Sequence, residues 1–210
     1  MISKKTSRIL VIAIVAAGVI TGWVGNQMQL RAKAHWRETQ QHMAQEVLRF
    51  HVLANSDSKQ DQALKMQVKE AVLSFMSSQL TQPANLEETR KWAIGHCDEI
   101  EKIGRKIIKK EGYQYPIKAE VNTCHFPDKT YGDVTFPAGN YQALRIEIGE
   151  AKGQNWWCVL YPNLCFIDAT NAVVPEEGKE ELKTVLSSEE YELVTATSDF
   201  KIKWFFFGEN

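Results

Sequence analysis

The sequence predicts an α+β fold: a single domain with a leading strand and two helices packed on a mainly antiparallel sheet, after an N-terminal hydrophobic segment. Three observations predict it. Val47 to Ala54 is a short β-rich run closed by a turn cluster. Two stretches with apolar residues at three- and four-residue steps follow, and alternating runs separated by short turns fill the second half.

The chain has 210 residues, enough for one buried core and a short extension. At its start Lys4, Lys5 and Arg8 precede Ile9 to Gly25, a run without charge. That layout is a secretory signal or a membrane anchor with its positive end left in the cytoplasm, and cleavage and retention are both open. Residues 1–25 are therefore set apart as signal peptide or anchor. Residues 26–45 are polar, show no packing stripe and read as a spacer, and residues 46–210 form the expected extracytoplasmic domain. Without Lys4, Lys5 and Arg8 there remain 22 cations against 26 acids, a net of −4. A mildly acidic domain does not suit a nucleic-acid partner.

After the leading strand, Asn55-Ser56-Asp57-Ser58 turns the chain, and Ser58 with Asp61 resembles a capping box. The first helix carries Leu64, Val68, Ala71, Val72, Phe75 and Met76 on one face. Pro83 opens a second, with Leu86, Ala93, Cys97, Ile100, Gly104 and Ile107, and Gly112 is its natural stop. Ile117 to Phe126, Val134 to Phe136, Tyr141 to Ile148 and Trp156 to Tyr161 are the strand candidates, and their short turns predict an antiparallel meander. Pro175 to Lys183 predicts a short helix reaching about Leu186. The aromatic tail with Phe200, Ile202, Trp204, Phe205, Phe206 and Phe207 reads as a docked last strand.

The candidate functional residues form two groups. His51, Asn55, Ser56, Asp57 and Asp61 crowd a strand-to-helix junction, where free N–H groups favour a binding site, although the same residue types also serve simply to turn a chain and cap a helix. Asn155, Trp156 and Trp157 place two adjacent indoles on opposite faces of a strand, one suited to the core and the other either covered by another element or offered to a partner. Calcium is rejected, because Lys59 takes a ligand position, no Gly stands sixth and Met66 stands twelfth. Ser56, His51 and Asp57 contain the residue types of a hydrolase triad, but their closeness in sequence counts against one and no G-x-S-x-G or H-E-x-x-H occurs, so an extracytoplasmic hydrolase at the His51–Asp61 cluster stands only as the alternative function. No metal, cofactor, small-molecule substrate or catalytic residue is expected. Cys97, Cys124, Cys158 and Cys165 allow three pairings in an exported domain, and a Cys158–Cys165 bridge is the favoured one across the reversal at Pro162 and Asn163.

Two stretches carry a resemblance. Leu48-Arg-Phe-His-Val-Leu-Ala-Asn-Ser-Asp-Ser58, continuing through Asp61-Gln-Ala-Leu-Lys to Val68-Lys-Glu-Ala-Val72, resembles the opening of the stage II sporulation protein R family. Tyr131-Gly-Asp, Phe136-Pro-Ala-Gly-Asn-Tyr141-Gln-Ala-Leu-Arg-Ile, Gly153-Gln-Asn155-Trp-Trp-Cys158-Val-Leu and Leu164-Cys165-Phe166 are similar to its later signature. One departure is Asn163, where the family pattern has a second proline; the tail after Asn171 matches nothing in that pattern. The resemblance implies a non-enzymatic signal made in the forespore and exported to the space between forespore and mother cell. There it would trigger a membrane-embedded aspartic protease that processes the precursor of sporulation sigma factor E. It brings no catalytic residues with it.

Overall fold

The computed structural model describes residues 4–80, 85–162, 164, 165, 174 and 176–195, with side chains from Ile12 onward. The chain divides into two compact units, Met1–Gln40 and Gln41–Asn210. Helix α1, Lys4–Glu46, contains the whole expected hydrophobic segment and spacer. Within the first unit Ile12, Ile14, Val15, Val19, Ile20 and Trp23 are all exposed. Among the described residues no helix is long and apolar enough to cross a membrane. The expected run begins at Ile9, and the side chains of Ile9, Leu10 and Val11 lie outside those described. The spacer reading needs correction at its end. The second unit starts at Gln41 and Met43 is fully buried, a contribution that one apolar residue in the polar stretch Gln-Gln-His-Met-Ala-Gln-Glu does not advertise.

The α+β class holds. Strand β1, Leu48–Leu53, is buried at all six positions. It is followed by α2 (Lys59–Gln79), α3 (Leu86–Gly95), α4 (Cys97–Lys110), β2 (Ile117–Phe126), β3 (Lys129–Tyr131), β4 (Val134–Phe136), β5 (Gly139–Ile148), β6 (Asn155–Tyr161), α5 (Glu176–Val185) and α6 (Ser188–Thr195). The main sheet has the order β2-β5-β1-β6, and β3 with β4 forms a separate hairpin. The predicted meander holds for β2 with β5, which pair antiparallel, and fails for β5 with β6. β1 lies between β5 and β6, parallel to the first and antiparallel to the second. A strand without an exposed residue belongs in the middle of a sheet, where both of its faces are covered.

Helices α2, α3 and α4 cover one face. Leu64, Val68, Val72 and Met76 of α2 meet Leu48, Phe50 and Val52 of β1, with Leu144, Ile146 and Ile148 of β5 beside them. Ser58 caps α2 by accepting from the Asp61 amide at 3.1 Å, as expected. The predicted second helix is broken in two at Gly95-His96. Trp92 and His96 stack at 4.4 Å, and His96 Nδ1 meets the Trp92 carbonyl at 2.7 Å, which ends α3 and lets α4 start in a new direction. Asn85 and Glu88 form the full capping box that opens α3. On the other face a second core gathers Met43, Val47, Phe126, Phe136, Tyr141, Val159, Leu182, Leu186 and Val194, drawing on the hairpin, α5 and α6. The predicted helix at 175–186 is α5. The expected aromatic strand falls on residues 200–207, outside those described.

Because β1 runs parallel to β5, the segment leaving β1 lies beneath the turn from β5 to β6. The Gly153 amide donates to the Ala54 carbonyl at 2.9 Å and the Lys152 amide to the Asn55 carbonyl at 3.2 Å. The Gln154 amide donates to Asp57 at 2.6 Å and the Glu150 amide to Asn55 Oδ1 at 3.0 Å. A Cβ on Gly153 would lie 2.2 Å from the Ser56 carbonyl oxygen and 2.5 Å from its carbon, and backbone cannot yield there as a side-chain tip can. Gly153→Ala is expected to destabilise the domain by about 1–3 kcal/mol in urea unfolding. Gly95→Ala, with nothing within 4 Å of its new Cβ, is expected to be neutral or to stabilise by up to about 1 kcal/mol.

Candidate functional site

The sheet face opposite α2–α4 is closed at one end by the second core and partly open at the other. Strand register sets its rows. His51 of β1 sits between Arg145 of β5 and Trp157 of β6, and Glu120 of β2 lies beyond Arg145. The next row outward is Asn155, Leu53, Glu147 and Lys118, and the next inward is Val159, Arg49, Ala143 and Asn122. Exposure grades across these rows. Arg49 and His51 are buried, Trp157, Asn155, Arg145, Glu147 and Glu120 are half-buried, and Lys118 is exposed.

Arg49 anchors the closed end. Its Nη2 donates to the Tyr131 hydroxyl at 2.9 Å and its Nε to the Cys158 carbonyl at 3.3 Å. Its guanidinium lies over Phe126, Tyr141 and Phe136 at 4.4, 4.9 and 5.1 Å from the ring centroids. Among the described residues no carboxylate pairs with it, so the charge is held by ring quadrupoles and two neutral acceptors. Burial pushes the Tyr131 phenol well up, only partly offset by Arg49.

His51 stacks on Trp157 at 4.9 Å, packs against Phe126 at 5.0 Å and meets the Cys124 thiol through Nε2 at 3.4 Å. Burial, then the charges of Arg145 and Arg49, lower its pKa to about 3, so the ring is neutral at physiological pH. Toward the open end Arg145 pairs with Glu147 at 2.5 Å, Lys118 with Glu120, and Asn122 donates to Glu120 at 2.7 Å. His51 Nδ1, Arg49 Nη1, Arg145 Nε, Asn122 Oδ1 and Asn155 Oδ1 have no hydrogen-bond partner among the described residues. Unused polar capacity concentrated on one face marks it as the part of the sheet not optimised for stability alone.

The two residue groups expected from sequence are redistributed. His51 and Trp157 come together on this face, with Asn155 at its margin. Trp156 faces the other way, edge-on to Phe50 at 5.5 Å and under Lys69 at 4.9 Å. Asn55, Ser56, Asp57 and Asp61 are separated from His51 and form the latch under the β5–β6 turn. Asp61 accepts from Ser56 Oγ at 2.6 Å and Asn55 Nδ2 at 2.8 Å, in place of the return bond to the Ser58 amide that a capping box makes. Burial raises the Asp61 pKa, but hydrogen bonds from Ser56, Asn55, Tyr115 and Ser58 outweigh it and hold the carboxyl below its ordinary value. Because Ser56 donates to Asp61 and His51 Nε2 meets Cys124, neither side chain is the other's partner, and no Ser–His relay is assembled. Cys158 and Cys165 are free thiols in hydrogen-bond contact. Arg49, Cys124, Phe126 and Arg145 escaped the sequence reading. Their signal was Arg49 and His51 alternating within an otherwise apolar central strand.

What fold and face define is an α+β domain with one sheet face sealed by helices and one left partly open, and comparison identifies it as a sporulation protein. The family model for stage II sporulation protein R matches residues 44–171, which take in all four strands of the main sheet. The chain belongs to that family. Stage II sporulation protein R of Bacillus subtilis (strain 168) is 39% identical over 140 residues, 66% of this chain and 62% of that protein. The chain thus spans under two thirds of the length of the curated relative it matches. No solved structure matches.

His51 is expected to stay neutral across the physiological range. Its ring resonances in NMR should not titrate between pH 8 and 4. The folded pKa lies below the ordinary 6.5, so the unfolded chain takes up the proton first and stability falls as pH drops from 6.5 toward 3. The slope from this residue is about 1.4 kcal/mol per pH unit, and His51→Leu should remove it in unfolding measured at pH 7, 6 and 5.

Proposed function

We propose that this chain is an exported signal of sporulation that activates a membrane-embedded aspartic protease, which then processes the precursor of sporulation sigma factor E. The carrying observation is family membership across residues 44–171, the whole main sheet. Two features support the export half of the reading. Lys4, Lys5 and Arg8 precede an uncharged run, and the described apolar side chains of that run have no protein covering them. The chain works outside the cytoplasm, in the space between forespore and mother cell, either released or tethered through residues 9–25.

On this reading the bond cleavage belongs to the protease, and this chain acts by contact. A contact shifts its partner toward an active state only by binding that state more tightly. The part-open face is the surface we assign to it: Trp157 supplies a half-buried aromatic anchor resting on His51, and Arg145, Glu120, Glu147 and Asn155 surround it with charged and polar side chains. The latch residues Asn55, Ser56, Asp57 and Asp61 support this face from the strand end. Their own side chains are spent on the turn.

The test is co-expression of protease, precursor factor and the full chain, scoring precursor cleavage. Cleavage should require this chain. Arg145→Glu breaks the pair with Glu147 and sets a third carboxylate beside Glu120, so it should cost about 1 kcal/mol, leave the chain folded by circular dichroism, and reduce cleavage by about tenfold or more. Cleavage without the chain would remove the activator reading. Full cleavage with Arg145→Glu would remove only the assigned face.

A further inference from the structure

We propose that Cys158 and Cys165 are a redox pair that closes to a disulfide when the chain folds in the presence of a disulfide oxidant, and that Cys97 and Cys124 remain thiols. The sequence alone allows three pairings, and the topology selects among them. After β6 ends at Tyr161 the chain reverses, and the Leu164 amide donates back to the Val159 carbonyl at 3.2 Å. That bond returns Cys165 to the flank of β6. The Cys165 thiol lies 3.0 Å from the Val159 carbonyl oxygen and the Cys158 thiol 3.7 Å from the same atom. The two sulfurs converge on one acceptor and contact each other, and both residues are buried.

The other partners are out of reach. Cys124 is on β2 and Cys158 on β6, at opposite edges of the sheet with β5 and β1 between them. Three strand spacings of about 4.8 Å separate them, about twice the Cα distance a disulfide spans. Cys97 opens α4, donates to the Ala93 carbonyl at 3.2 Å and lies on the helix side against the Val121 backbone of β2, at the far edge of the sheet from β6. Cys124 instead faces His51 and Trp157 on the other side of the sheet. The sheet itself lies between those two.

The chemistry balances as thiol–disulfide exchange. With oxidised glutathione, the Cys158 thiolate attacks one glutathione sulfur, forms a mixed disulfide and expels one glutathione thiolate. The Cys165 thiolate then attacks Cys158 Sγ and expels the second. The protein loses two electrons and two protons, and the two glutathione thiols gain them. Burial pushes the Cys165 thiol far up once the fold is complete, so exchange belongs to the folding chain, while the sulfurs are still wet. Closure staples the reversal to β6, the strand that carries Trp157 onto the open face.

Occurrence of this reaction in the cell rests on the export reading; the pairing does not. The test refolds the purified full chain from denaturant with oxidised and reduced glutathione, alkylates free thiols and digests with trypsin. Gly153 to Lys179 is one tryptic peptide holding both cysteines. It should emerge two hydrogens light and unalkylated, with Cys97 and Cys124 alkylated. Thermal unfolding should rise by about 5 °C or more over the reduced chain, and Cys158→Ser and Cys165→Ser should each leave the surviving partner alkylated. Two alkyl groups on that peptide, or any crosslink to Cys97 or Cys124, would overturn the pairing. Alkylation in intact sporulating cells separates the readings: a bridge in vitro with open thiols in cells upholds the pairing and counts against export.

Discussion

The structure depends on one placement, that of β1 between β5 and β6, hydrogen-bonded along both edges. Its parallel register with β5 brings the end of β1 to the same side of the sheet as the end of β5. The connection from β5 to β6 must then pass over the chain leaving β1, since β6 lies on β1's far side. Two irregular segments meet there, and neither can satisfy its peptide groups through a strand ladder. Asn55 and Asp57 accept from the crossing peptides, Asp61 holds the Asn55 and Ser56 side chains in place, and Gly153 lets the backbones approach. A cluster that reads as a binding site in sequence is thus the consequence of a crossover.

The same strand separates two environments. Leu48, Phe50 and Val52 point into an apolar layer under three helices. Arg49 and His51 point the other way. Arginine cannot shed its proton, so its buried charge is retained and must be held by whatever surrounds it. Here that is a box of aromatic rings, one phenol and one carbonyl. Histidine has the other option, and takes it: buried, and beside two guanidiniums, the ring gives up its proton. The two residues illustrate the same desolvation cost met in two different ways.

Local order was legible where it is encoded locally. Strand and helix periodicities, the Ser58 cap, the stop at Gly112 with its φ of 84° and the helix at Glu176–Val185 all follow from residues within a few positions of each other. The meander failed between β5 and β6 because short turns between runs specify only that the runs are close in sequence. Which edges pair was decided by β1, which ends at Leu53, far ahead of β5 at Gly139 and β6 at Asn155, and whose complete burial marks it as central. The single long helix from Leu86 failed for a smaller reason: the apolar spacing continues through Gly95-His96, while the stack of His96 on Trp92 that ends α3 is a contact periodicity cannot register. The partly open face was illegible as a unit because its members come from four strands. Only His51, Asn155 and Trp157 stood out, each by residue type, and Arg145 and Glu120 look in sequence like ordinary outward positions of alternating strands.

Trp156 and Trp157 connect these levels. Adjacent residues on a strand point to opposite faces, so the pair straddles the sheet. Trp156 completes the helix-side layer against Phe50, while Trp157 rests on His51 and Phe126 at the boundary between the aromatic box and the open rows. Any force on Trp157 is therefore borne by a strand fixed on its other side by a core aromatic and along its edge by β1. A side chain mounted this way is pre-positioned, because the residues that would absorb its motion are themselves packed. A loop-borne aromatic would lose conformational freedom on contact, and that loss would weaken binding. The sheet has already fixed Trp157 in folding, which leaves the charges around it free to decide which surface fits.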